Sequence, residues 1–85
     1  MAVVEVKYLG NFSLLTRKRR EKVAIAENEK VGSLLEKLGK KYGRKLALSL
    51  SADMTAFLLN GTPALKETAL HPGDELVIAT MVGGG

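Results

Sequence analysis

Gly83-Gly84-Gly85 follow directly on the largely apolar run Glu75-Leu-Val-Ile-Ala-Thr-Met-Val82. Glycine has no Cβ, so such a segment can pass through a channel too narrow for any other residue. Fully extended, Met81 to Gly85 would reach roughly 15–18 Å from the body, at about 3.3–3.6 Å per residue. That reach can deliver the Gly85 carboxylate, with Gly84 behind it, into a partner's deep active site while the folded part docks outside. Taken alone, the same three glycines also fit an inert end, because small residues collect at chain termini.

The rest of the inventory narrows the chemistry. Cysteine is absent, which removes disulfides, thiolate metal sites and thiol nucleophiles together. The single histidine, His71, lies beside Pro72-Gly73 and has no second imidazole with which to build a metal site or a relay. It reads as a turn residue. No Ser/His/Asp order, metal-ligand spacing or phosphate-binding glycine loop occurs. The terminal carboxylate is therefore the best candidate for a reacting group.

The elements that would carry this tail can be read from periodicity. Val4, Val6 and Tyr8 alternate with Glu5, Lys7 and Leu9, which predicts a half-buried strand from about Val3 to Gly10-Asn11. A basic connection, Thr16 to Arg20, leads to a second strand in which Val23 and Ile25 share a face; together they make a hairpin with a longish loop. Val31, Leu34, Leu35, Leu38 and Tyr42 then fall on one helical stripe, with Gly43 placed to end the helix. Lys30 is a poor cap and Asn28 a better one, while Gly39 should weaken the helix interior. Leu46, Leu48 and Leu50 alternate, which leaves a short strand or an irregular connection open. Thr55-Ala-Phe-Leu-Leu-Asn60 predicts a strand, and its unbroken apolar stretch points to an interior position with both faces covered. Asn60-Gly61 signals a turn, Leu65 to Leu70 could hold one helical turn, and His71-Pro-Gly-Asp74 a tight turn before the last strand.

Eighty-five residues, 46% apolar and 26% charged, suit one small globular domain: a body over residues 1–82 and a glycine tail over 83–85. No apolar stretch approaches the roughly 20 residues of a spanning helix, and the N-terminus lacks a basic region followed by an apolar run, so a soluble cytoplasmic protein is expected. A helix between the second and third strands makes a crossover, and packing its one apolar stripe on one sheet face gives an α+β roll.

The element order, with Asn60-Gly61, Leu70-His-Pro-Gly-Asp-Glu-Leu76 and Val82-Gly-Gly-Gly85, resembles the ubiquitin-like β-grasp sulfur carriers of the MoaD/ThiS superfamily over essentially the whole chain. The resemblance implies an α+β β-grasp fold, a mixed sheet of about four to five strands on one main helix. It implies that a ubiquitin-activating-type enzyme adenylates Gly85 with ATP and that sulfur from a donor replaces the adenylate, leaving a thiocarboxylate. The carrier itself would be no enzyme and would bind no cofactor; ATP belongs to the activating partner. Met81, Val82 and Gly83 would enter the partner with the tail. A docking face would include Leu9, Pro63 and Ala79, although Leu9 could equally close the core. Length and the Lys22–Gly43 region look most like MoaD, the small subunit of molybdopterin synthase, whose tail inserts into a MoaE-like large subunit. Where many MoaD proteins have aromatic and proline residues before the tail, this chain has Ile78-Ala-Thr-Met81. The alternatives within the superfamily are ThiS-like thiazole synthesis, transfer RNA thiolation and attachment to protein lysines.

Arg17-Lys-Arg-Arg20 and a net charge of +4 raise the rival of a nucleic-acid-binding module. The aromatic residues Tyr8, Phe12, Tyr42 and Phe57 do not interleave with these cations, so no stacking platform is apparent. A solvated loop or charged strand edge is favoured, which could also steer acidic partner surfaces. The third class is a noncovalent ubiquitin-like module whose tail is never activated.

Overall fold

A computed structural model describes residues 2–52 and 54–81. The N-terminal alternation becomes β1 (Ala2–Tyr8), with Val4, Val6 and Tyr8 buried and Glu5 and Lys7 on the other face. The second strand is β2 (Arg20–Ile25), antiparallel to β1 from Ala2↔Ile25 to Lys7↔Arg20. The loop between them is more structured than expected. It holds a short helix, α1 (Asn11–Thr16), in which Phe12 and Thr16 are buried one turn apart. The Thr16 hydroxyl donates to the Phe12 carbonyl at 2.9 Å.

The predicted stripe forms α2 (Val31–Tyr42), burying Val31, Leu34, Leu35 and Leu38 against the sheet. Its N-terminus has no side-chain cap from Lys30 or any other residue. The first amides are satisfied from elsewhere: Val31 N–H donates to the Thr68 carbonyl and Gly32 N–H to the Lys66 carbonyl, each at 2.9 Å. Orphan donors at a helix start need partners, and here a distant loop supplies them. This use of its carbonyls keeps Leu65–Leu70 from being helical; it is a turn closed by Thr68 N–H on the Leu65 carbonyl, followed by a bridge between Ala69 and Lys30.

Gly43 ends α2 with φ 101° and ψ −176°, an extended positive-φ conformation essentially reserved to glycine, rather than the left-handed helical one. The chain turns there directly into α3 (Arg44–Leu50). The alternating leucines are therefore helical. Positions 46 and 50, which share a face in a strand, are also i and i+4 of a helix, and both are buried while Leu48 is 62% exposed. The interior Gly39 has a packing reason, since a Cβ there would sit 3.0 Å from the Ala47 Cβ of α3.

β3 (Thr55–Leu59), β4 (Thr62–Pro63) and β5 (Glu75–Thr80) complete a sheet of order β2-β1-β5-β3-β4 among the described residues. β1 and β5 are parallel and central; the other pairs are antiparallel. β3 lies between β5 and β4, as its expected interior position requires, but the expectation that both its faces are covered fails. Its outer neighbour β4 has two residues, and every residue of β3 is only half-buried. Its apolar run serves two purposes: Phe57 and Leu59 pack on the core, whereas Ala56 and Leu58 lie on the opposite face. All the buried sheet residues face the helices, leaving the other face without a helical cover.

The two turns named in the sequence interlock. Asn60 Nδ2 donates to Asp74 Oδ1 and Glu75 N–H to Asn60 Oδ1, both at 2.9 Å, while His71 N–H donates to Asp74 Oδ2 at 2.8 Å. This clamp fixes the start of β5, at the end of the sheet opposite the chain's exit. His71 is the turn residue expected, with Gly73 at φ 85°.

Candidate functional site at the exit of the central strand

β5 positions the tail. It lies between β1 and β3, so the chain leaves from the middle of the sheet. Leu9 N–H donates to the Ile78 carbonyl at 3.0 Å, Thr80 pairs with Thr55, and Met81 N–H donates to the Met54 carbonyl. Strand pairing thus secures the root of the tail on the β1 side as far as Ile78 and on the β3 side up to Met81. Val82, Gly83, Gly84 and Gly85, named above as tail and reacting group, lie outside the described residues.

The remaining predicted contact residues come together on the uncovered face. Tyr8↔Ile78 places Leu9 next to Ala79, which pairs with Ala56, and Pro63 pairs with Leu58, which in turn pairs with Val77. Leu9 is 51% exposed, so it does not close the core. Pro63 is exposed and Ala79 half-buried, and Met81 and Met54 are each about half-exposed at the exit. Ala56, Leu58, Val77 and Met54 belong to this surface and were not legible as such. Both parities of β3 and β5 are apolar, so only the pairing register tells the outer side chains from the inner ones.

Beside the exit, at the C-terminal end of β1, Glu21 is nearly enclosed. Tyr8 and Tyr42 donate to its Oε2 at 2.6 and 2.5 Å, and Lys41 Nζ donates to Oε1 at 2.9 Å. Burial by itself would raise this carboxyl, but the hydrogen bonds from Tyr42, Tyr8 and Lys41 and the Lys41 charge draw it from 4.5 down to about 2. Burial and then the Glu21 carboxylate raise the Tyr8 phenol, and the bond to Glu21 raises Lys41. The group ties β1, β2 and α2 together under the exit. Both oxygens of the Glu21 carboxylate are engaged and both phenols donate to it, so its role is structural.

Among the described residues no group of three or more His, Asp or Glu side chains could hold a metal, and no helix is long and apolar enough to cross a membrane. The site's geometry is that of a held strand end beside an open apolar face, able to present a tail to another protein.

A mixed sheet with a parallel central pair, helices on one face and the chain end leaving the central strand defines the ubiquitin-like β-grasp class. The sequence model of the ThiS family matches residues 6–85, and the chain belongs to that family of small ubiquitin-like sulfur carriers and modifiers. No curated protein sequence matches significantly. Among solved structures, the chain is similar to the small archaeal modifier protein 1 of Methanosarcina acetivorans, with 26% identity, a TM-score of 0.79, and coverage of 100% of this chain and 98% of that one. A Pyrococcus furiosus protein described as molybdopterin converting factor, subunit 1, is 20% identical with a TM-score of 0.80, covering 96% of this chain and 100% of that one. The Caldiarchaeum subterraneum ubiquitin is 18% identical with a TM-score of 0.61, covering 99% and 98% respectively. The last two likenesses speak to fold, and the fold is the β-grasp expected.

Proposed function

We propose that this chain is a sulfur carrier whose Gly85 carboxylate becomes a thiocarboxylate, acting as a MoaD-like small subunit of molybdopterin synthase. The observation that carries the reading is the held exit: β5 is anchored by β1 as far as Ile78 and by β3 up to Met81, and the three residues after Val82 have no side chains. Membership of the ThiS family supports the same chemistry. The Gly85 carboxylate attacks the α-phosphorus of ATP and releases pyrophosphate. A hydrosulfide equivalent from the donor then attacks the acyl carbon and releases AMP, leaving a carbon–sulfur bond in place of a carbon–oxygen one. The activating partner binds ATP; this chain supplies the carboxylate and the docking face around Leu9, Ala79, Pro63 and Met81. The acceptor of the sulfur is a MoaE-like large subunit.

A second reading, attachment of Gly85 to protein lysines, is supported by the 26% identity to an archaeal modifier protein. Intact-protein mass spectrometry after incubation with the cognate adenylating enzyme, ATP and a sulfur donor tests the carrier. Exchange of one oxygen for sulfur at Gly85 is the expected result. An unchanged mass, with an enzyme active on another carrier, would leave a noncovalent ubiquitin-like module.

A further inference from the structure

The run Arg17–Arg20 sits at the end of the sheet from which the tail departs. β1 and β5 are parallel and end together, and Tyr8 N–H donates to the Arg19 carbonyl at 2.8 Å, fixing the run beside the exit. The backbone there is held: Arg17 has φ 61°, and the Thr16 hydroxyl accepts from Lys18 N–H at 3.3 Å. All four cations are exposed. The C-terminus of α2 reaches the same end, since the rings of Tyr42 and Tyr8 meet edge-on at 6.4 Å. α3 then begins with the exposed Arg44 and Lys45 and runs to Ser49, whose carbonyl accepts from Thr55 at the start of β3.

Among the described residues, Glu21 is the one carboxylate at this end, and Lys18 and Lys41 already hold it at 3.5 and 2.9 Å. Arg17, Arg19, Arg20, Arg44 and Lys45 make no ion pair with a described residue. Carboxylates gather at the opposite end instead: Asp74 and Glu75 where β5 begins, Glu27 and Glu29 before α2, and Glu67 in the turn over its first amides. Lys30 and Lys66 also lie there, and Glu75 and Glu29 are paired with Lys7 and Lys37, but among the described residues the unpaired cations prevail at the end from which β5 exits.

Two features decide the kind of partner. Leu9 and Leu14 stand 51% and 75% exposed beside the cations, and a shallow cavity is lined by Lys7, Tyr8, Leu9, Gly10, Ser13, Arg19 and Arg20. Tyr8 and Phe12 are buried, and the Tyr42 ring is already covered by Lys18 and Lys41 at 5.8 and 5.2 Å from its centroid. Arginine with exposed aliphatic side chains suits a protein surface, whereas a single strand of nucleic acid needs open rings on which to stack.

We infer that this basic end docks on an acidic rim around the tail channel of the activating partner, with Arg19 and Arg20 as positioning residues and Leu9 and Leu14 as their apolar neighbours. The inference rests on the carrier reading. Opposite charges raise the encounter rate, and the excess of unpaired cations at the exit presents the molecule tail first.

ATP–pyrophosphate exchange by the adenylating enzyme of the same genome tests it, with this chain as the varied substrate. Arg19→Glu with Arg20→Glu should raise KM by about tenfold or more while kcat stays within about twofold, and Arg19→Ala with Arg20→Ala should raise it less in the same direction. Added salt should raise the wild-type KM and have less effect on the reversed variant. Lys30→Glu with Lys66→Glu makes the same net-charge change at the opposite end and should leave KM within about twofold. An unchanged KM in both arginine variants, or an equal rise in the lysine variant, overturns the inference while leaving the carrier intact. Absence of exchange with the wild type overturns the carrier first and the inference with it. Salt-sensitive binding of a labelled single-stranded RNA, lost in the arginine variants whose KM is unchanged, would assign the patch to nucleic acid instead.

Discussion

Glu21 is where single side chains matter most to this fold. Two phenols and an ammonium converge on one carboxylate that is 8% exposed, and no apolar pattern in the sequence announces it, because its hydrogen-bond donors lie 13 to 21 residues away. Its folded-state carboxyl is drawn from 4.5 to about 2, so the ionised form stabilises the fold above about pH 4.5 and that contribution is lost as pH falls towards 2. Replacing Glu21 by Gln keeps the shape and removes the charge. The substitution should cost roughly 1.5–3 kcal/mol near neutral pH, the range for hydrogen bonds to a charged group. Urea unfolding from pH 7 to pH 2 should show the difference between wild type and variant shrinking across the acid window; a constant difference would mean that the carboxylate charge contributes nothing. Glu29 follows the same rule at the opposite end of the sheet, lowered against its burial by the Ala26 amide, Lys37 and Ser33.

Elements show where local pattern and tertiary context part company. The stripe of α2 was legible because four of its leucine and valine positions are fully used in the core, and β1 because its alternation separates a wet face from a dry one. α3 was ambiguous because Leu46 and Leu50 satisfy both the strand and the helix period, and only the turn at Gly43 and the packing of α3 on α2 decide between them. The start of α2 could not be read from a cap, since its donors are met by the Lys66 and Thr68 carbonyls far along the chain. Gly39 illustrates the same competition in energy. On helix propensity alone, alanine there should stabilise by about 1 kcal/mol. The new Cβ would meet the Ala47 Cβ at 3.0 Å and its Cα at 3.4 Å, on a neighbouring helix that cannot move a side chain aside. Overpacking of this kind costs about 1–3 kcal/mol, so Gly39→Ala should be net destabilising in thermal or urea unfolding. A more stable variant would mean that α3 yields easily.

At the scale of the whole molecule, the turn clamp and the exit of the tail occupy opposite ends of β5. The interlocked Asn60 and Asp74 turns, which carried much of the family resemblance, lie where β5 starts, and they hold the strand without approaching its exit. The contact residues Leu9, Pro63, Ala79 and Met81 were legible only through that resemblance; their neighbours Ala56, Leu58 and Val77, and the excess of unpaired cations at the exit, needed the strand order. Separation of this kind predicts that folding and function can be cut apart. The core, the strand pairing and every hydrogen bond named above are made within residues 2–81, with the last strand contact at Met81. Deleting Gly84 and Gly85 therefore removes no apolar burial and no ladder bond from this set, and the unfolding free energy should change by less than about 0.5 kcal/mol, the range for surface changes away from such features. The same deletion removes the reacting carboxylate from its reach, so thiocarboxylate formation should fall to background in mass spectrometry even though the body still competes with wild type for the activating partner. Equal sulfur loading of the full and shortened chains would sink the carrier mechanism, whereas lost loading together with lost competition would mean that the tail, and not the face beside it, supplies the docking energy.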